Sequence, residues 1–242
     1  MTKVSEFIKP YTDKLKINLD NAQFEKLDLL ADNMINDPLY KSVSKIFDTE
    51  EMAIKHFLDS LLPLCYSLPI WKLEKVLDLG TGGGFPCLPL AIALPDSHFT
   101  AVDGRQKSVD FVARMAKTIG LKNVETIHSR IEDLGQDKAH REKYDLVTCR
   151  ALSSVRVLME YTLPLTQNGG WSFYYKGPKL DEELAEASNA IKILGAEPEN
   201  IEIYRLLPPE IPFERNFISI HKTKSVAAKY PRKAGTPLSK PL

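Results

Sequence analysis

From Lys75 onward the chain alternates short β-rich runs with helical stretches, and this alternation limits the fold more than any other feature. The runs are "KVLDLG" (75–80), "HFTAVD" (98–103), "VETIHS" (124–129) and "YDLVTC" (144–149), separated by helical stretches near 86–94, 105–119 and 154–165. Such alternation predicts βαβ units and a mostly parallel sheet covered on both faces. After "NGG" (168–170) a further strand, "WSFYYKG", leads into a charged helix over 179–194. Two last strands, "IEIYRL" and "NFISIH", are joined by a short Pro-rich link, which predicts an antiparallel hairpin at one edge of a seven-stranded sheet. Two helices precede the first strand. One spans 18–35, with Phe24, Leu27, Leu30 and Met34 on one face and Asp20 or Asn21 as its cap; the other runs from about Thr49 to Leu62, before Pro63. The predicted organisation is an N-terminal helical extension over 1–70, a main domain over 71–222 and a basic tail over 223–242.

Composition removes several classes of function. A hydrophobic fraction of 43% and a charged fraction of 26% are globular values. No apolar run is as long as a transmembrane helix, and "MTKVSEFIKP" lacks the apolar segment of a signal peptide, so a cytoplasmic protein is expected. Cys65, Cys87 and Cys149 lie far apart and form no C-x-x-C pair, which excludes the common zinc spacings and a disulfide framework. Charge is uneven. Residues 222–242 carry six basic and no acidic residues, leaving 26 basic against 32 acidic in the rest. A basic tail on an acidic body predicts either a polyanionic partner or a solvated terminus.

The candidate site is the turn "VLDLGTGGGFPCLPLAI" (76–92). In open parallel sheets, ligands bind beyond the carboxyl ends of the strands, where this turn and Asp103 are expected to lie. A dinucleotide fingerprint reads G-x-G-x-x-G, whereas here Gly80, Gly82 and Gly84 are followed directly by Phe85 and Pro86. No Lys-Ser or Lys-Thr follows, so a phosphate-binding Walker loop is excluded. Asp78 precedes the first glycine by two residues. Its carboxylate would repel a pyrophosphate but suits the ammonium group of an amino acid. Asp103, 19 residues past Gly84, suits the two hydroxyls of a ribose. Ammonium, ribose and adenine without phosphate describe S-adenosylmethionine. A nicotinamide-dependent oxidoreductase, which shares the fold, is disfavoured by the spacing and by Asp78.

Together with "HFTAVDGRQKSVDFV", the glycine turn resembles the RsmG/GidB family of bacterial small-subunit rRNA 7-methylguanosine methyltransferases. So do "HFLDS" (56–60), "SRIEDL" (129–134), "YDLVTCRALSSV" (144–155), "YYKG" (174–177), "RNFISIHK" (215–222) and "YPRKAGTP" (230–237), in family order. The resemblance implies a class I, Rossmann-like methyltransferase that transfers a methyl group to N7 of one guanosine in the decoding-region loop of 16S rRNA, free or in an assembling small subunit. The expected cofactor is S-adenosylmethionine, with no metal, and a monomer is expected. Cofactor positions carry over to Gly80, Phe85, Ile131, Glu132 and Arg150, with Glu132 and the backbone around Ile131 receiving the adenine; Asp78, Gly82 and Asp103 join them from the reading above. Two departures stand out: Cys87 follows Pro86 where the family has glycine, and Ser42, Val43 and Ser44 replace an Asn-Leu-Thr segment.

Guanine N7 carries an in-plane lone pair and loses no proton on methylation, so alignment is needed more than a general base. No catalytic base or triad is expected. "CRALSS" after the fourth strand lacks the Pro-Pro-aromatic segment of exocyclic-amine methyltransferases. Cys149, a conceivable nucleophile for carbon methylation, is read as a buried strand residue. Candidate RNA contacts are Lys176, Arg105, His56, Arg232 and Lys233. Each has a plainer reading: His56 with Asp59 and Ser60 as a packing network, Lys176 as a strand end, and the Arg105 run as a solvated helix face. For the tail, with Tyr230 as a stacking ring, the expectation is that 222–242 order on rRNA. The remaining alternatives are a methyltransferase of another RNA or of a small metabolite, and a non-catalytic RNA-binding module.

Overall fold

A computed structural model describes residues 3–66, 68 and 74–242. Its strands, in chain order, are β1 (Lys75–Leu79), β2 (His98–Asp103), β3 (Val124–His128), β4 (Tyr144–Arg150), β5 (Thr166–Lys176), β6 (Ile201–Leu206) and β7 (Arg215–His221). They form a seven-stranded sheet in the order β3-β2-β1-β4-β5-β7-β6. Pairs β2–β3, β1–β4 and β4–β5 are parallel, while β7 runs antiparallel to both β5 and β6. The chain divides into two compact units, Met1–Glu74 with Thr81–His128, and Lys75–Gly80 with Ser129–Leu242. The expected boundary at 70/71 lies outside the described residues.

In the first unit, α1 (Val4–Lys14) and α2 (Asn21–Asn36) pack together. Asp20 begins α2 with a capping box: its Oδ1 accepts from the Gln23 amide at 2.8 Å, and the Gln23 side chain accepts from the Asp20 amide at 2.9 Å. The Gln23 side chain also donates to the carbonyls of Ile92 and Ala93, at the end of α6 (Cys87–Ala93), so one residue closes two helix ends. Leu27, Leu30 and Met34 are buried as predicted, and Phe24 is half-buried. α1 carries Pro10 in its interior, a residue that usually breaks a helix. It persists because Val4 and Ile8 are buried and because Asp28 of α2 accepts from both the amide and the hydroxyl of Ser5. α3 (Tyr40–Val43) precedes α4 (Thr49–Met52). The predicted single helix over 49–62 is divided: a π-helical stretch, Ala53–Leu58, follows α4 and leads into α5 (Asp59–Leu61). α7 (Gln106–Thr118) covers β2 and β3 with Phe111, Val112 and Met115.

In the second unit, β1 and β4 adjoin at the point where the strand order reverses, with Asp78 opposite Thr148 and Leu79 opposite Cys149. α8 (Ile131–Gln136) and α9 (Val155–Thr162) lie together, with α10 (Leu180–Glu186) and α11 (Ser188–Leu194) also against α9. Thus the charged helix predicted over 179–194 is two helices. α12 (Thr236–Ser239) also packs on α9. Phe217 of β7 joins this half of the core to β5, stacking on Phe173 at 5.6 Å and meeting Tyr175 edge-on at 5.3 Å.

The capping box makes a direct prediction. Asp20→Ala removes one side of it and should destabilise the protein by about 1 kcal/mol. A denaturant titration should show a lower midpoint with an unchanged slope.

Candidate functional site

The glycine turn changes direction through the left-handed backbone region, with φ of +70° at Gly80, +54° at Gly82 and +86° at Gly84. A side chain at Gly80 would be strained and would place its Cβ 2.8 Å from Leu152, which accounts for glycine there. In the first unit, the Thr81 amide donates to the Val102 carbonyl, tying the turn to β2. At the end of β2, Asp103 is 6% exposed, and its two oxygens accept from the backbone: Oδ2 from Gly82 at 2.9 Å and Oδ1 from Arg105 at 2.8 Å. Each oxygen keeps a further lone pair, so the carboxylate is oriented without being saturated. Arg105 is exposed, with its Nε 3.5 Å from the same carboxylate. Phe85 is buried against the faces of two residues, stacking on His56 at 4.4 Å and meeting Phe57 edge-on at 5.4 Å.

In the second unit, Asp78 is buried in β1 and accepts from the Thr148 hydroxyl at 3.2 Å. Arg150 ends β4, and the chain turns at Ala151 with φ of +53°. Cys149 is buried beside Asp78, and burial together with that negative charge pushes its thiol well above the usual range. A thiol held protonated is a poor nucleophile. Ile131 and Glu132 open α8; Glu132 is buried and accepts from the Gly235 amide at 2.8 Å and from the Tyr161 hydroxyl at 3.4 Å. Burial, then the charge of Glu132, raises the Tyr161 phenol, which keeps it a donor. Among the described residues no group of three or more His, Cys, Asp or Glu could hold a metal ion, and no helix is long and apolar enough to cross a membrane.

Residues 24–207 match the family described as GidB, rRNA small subunit methyltransferase G. The chain belongs to this family. It is 40% identical to the ribosomal RNA small subunit methyltransferase G of Lactobacillus johnsonii, over 95% of each chain. It is 45% identical to the protein of the same name from Desulforamulus reducens, over 83% of this chain and 82% of that one. Among solved structures, an S-adenosylmethionine-dependent O-methyltransferase from Thermotoga maritima has a similar fold, with a TM-score of 0.51 and 12% identity over 80% of this chain and 73% of that one. The S-adenosylmethionine-dependent methyltransferase SibL has a TM-score of 0.51 and 16% identity, over 91% of this chain and 74% of that one. At these identities the two structures speak for the Rossmann-like methyltransferase fold alone.

Set within the family fold, three of the five expected RNA contacts divide from the other two. Lys176 is buried, donates to the Ser153 carbonyl at 2.9 Å and pairs with Glu183 at 2.6 Å. Arg232 pairs with buried Glu160. His56 packs on Phe85, and its Nε2 lies 3.0 Å from the Ser44 hydroxyl, so the departure at 42–44 supplies its partner. Asp59 and Ser60 are buried and Ser60 donates to the His56 carbonyl, in keeping with the packing network. Arg105 and Lys233 are exposed. The tail, expected to order on RNA, is already packed on the second unit: Arg141 donates to the carbonyls of Val226 and Tyr230, and Gln136 to that of Pro231. Glu160 itself was missed, although a single carboxylate within the apolar run "VLMEYT" is the signature of a buried pair.

Because the Cys149 thiol is held protonated, Cys149→Ala should retain methyl transfer within a few-fold, with at most a modest loss of stability. Abolished turnover at unchanged folding, or methylated protein trapped on Cys149 in the parent chain by mass spectrometry, would contradict this.

Proposed function

We propose that this chain transfers a methyl group from S-adenosylmethionine to N7 of one guanosine in the decoding-region loop of 16S rRNA, free or in an assembling small subunit, in the cytoplasm. The observation that carries the reading is Asp103, a buried carboxylate at a strand end, aimed by the amides of Gly82 and Arg105 and still able to accept from two ribose hydroxyls. The donor set fits a cofactor that lacks phosphate: the turn offers glycine backbone and carboxylates, with no lysine to neutralise a phosphate. Family membership supplies the acceptor, small-subunit rRNA.

When bound, the cofactor supplies a methyl group on an electrophilic sulfonium. Asp103 holds the ribose, Gly80, Gly82 and Phe85 shape the turn around it, and Asp78 attracts the ammonium. Ile131 and Glu132 receive the adenine, and Arg150 orients the ligand at the end of β4. Arg105 and Lys233, both exposed, reach RNA phosphates. The bound cofactor would supply its methyl group to the N7 lone pair, with the electron pair of the broken C–S bond remaining on sulfur. No proton leaves N7, so no side chain need act as base. The enzyme's task is to hold N7 at about 3 Å from the methyl and in line with the sulfur.

Incubation of the chain with labelled S-adenosylmethionine and unmodified small-subunit rRNA should place label at a single guanine N7; label elsewhere, or none, would reject the proposal. Calorimetry should register S-adenosylmethionine and not NAD. Asp103→Asn should weaken cofactor binding by about tenfold to a hundredfold, as expected for losing about 1.5–3 kcal/mol from charge-assisted hydrogen bonds.

A further inference from the structure

The short helix α8 does not hold its own shape. It has six residues, too few for a helix to persist by backbone bonding alone. Both of its ends are instead gripped by the C-terminal segment. At the start, the Gly235 amide donates to Glu132 Oε1 at 2.8 Å. At the end, the Gln136 side chain donates to the carbonyls of Pro231 at 2.7 Å and Ala228 at 3.2 Å. Between them, a Cβ at Gly135 would lie 2.6 Å from the Pro231 ring, so the segment runs directly over the helix backbone. Arg141 ties the two together, donating to the carbonyls of Gly135 at 3.0 Å and Tyr230 at 2.6 Å.

The segment is in turn pinned by one pair. Arg232 donates to Glu160 Oε1 from both its amide and its Nε at 2.8 Å, and to Oε2 from Nη2 at 2.6 Å. Glu160 lies on α9 and is fully buried, and its hydrogen bonds hold the guanidinium more firmly charged than usual. Tyr161, the next residue of α9, donates to Glu132. Glu160 and Tyr161 therefore fix the two sides of α8 from one turn of one helix.

We propose that Arg232 and Glu160 are positioning residues for the cofactor: through the C-terminal strap they set Glu132 and the start of α8, where the adenine is received. The proposal rests on the S-adenosylmethionine reading above. It assigns the strap a part in cofactor binding that is separate from any contact its exposed lysines make with RNA.

The test uses the full chain, with S-adenosylmethionine and unmodified small-subunit rRNA. Arg232→Gln should raise KM for S-adenosylmethionine at least tenfold while kcat at saturating cofactor stays within about twofold. Arg232→Lys, which restores the charge but not the two-pronged geometry, should lie between. Gln136→Ala, at an exposed position, should raise KM about threefold to tenfold, and it decides the matter if Arg232→Gln does not fold. A purely structural role would lower the active fraction, and hence kcat, with KM unmoved; that result, or no change in KM in either Arg232→Gln or Gln136→Ala, would overturn the proposal. Calorimetry on the parent chain separates the two readings: no cofactor binding there would overturn the methyltransferase reading itself, whereas equal binding by parent and variants would overturn only the role of the strap.

Discussion

Much of the second unit depends on a carboxylate that has no access to water. Glu160 sits in α9, the helix that α8, α10, α11 and α12 all touch, and its side chain is 1% exposed. An ionised carboxylate in that position is tolerable only if it is paired and hydrogen-bonded. Its partner, Arg232, lies 72 residues further along the chain and offers a fork that satisfies both oxygens. The helix that carries the charge is therefore committed to the segment that neutralises it. Removing Arg232 leaves the Glu160 carboxylate buried and without its ion pair, which costs more than the pair contributes when intact.

The same logic explains the chain's uneven charge. Residues 222–242 carry only cations, and the body carries the excess of anions. Half of the six tail cations meet those anions at home. Lys222 is almost fully buried and donates to Glu142 at 2.7 Å and to the carbonyls of Leu163 and Thr166. Burial draws its ammonium down. For Glu142, burial opposes ionisation, but the Lys222 hydrogen bond and charge outweigh it and hold the carboxyl below the usual range. Lys224 pairs with Glu197, and Arg232 with Glu160. The imbalance along the sequence is thus partly an intramolecular complementarity, while Lys229, Lys233 and Lys240 face solvent.

What the sequence made legible follows from where periodicity carries information. The strands at 98–103 and 201–206 begin and end as predicted, and the hairpin lies at the sheet edge, because a buried parallel strand or an edge pair has a strong local pattern. Asp103 ends β2, as its place in the run "HFTAVD" predicts, and the amides of Gly82 and Arg105 orient its carboxylate. The misses are elements whose stability is tertiary. α1 contains a proline and is held by Asp28; α8 is too short to propagate and is held by the strap. The π-helical stretch at 53–58 shifts the phase of a helix whose residue types alone predict regular turns.

Cations are hard to place from sequence for a related reason. At the sequence level, Lys176, Arg232 and Lys233 are equivalent charges near strand or chain ends. Pairing separates them: Lys176 meets Glu183 and Arg232 meets Glu160, whereas Lys233 stays exposed. A buried cation fixes the fold and an exposed one can meet a phosphate, and residue type does not say which. The partner does, and the partner's signature is the complementary anomaly, a lone carboxylate in an apolar run. Glu160 within "VLMEYT" is such an anomaly. Reading the two anomalies together, one in α9 and one in the tail, pairs segments that no local pattern connects.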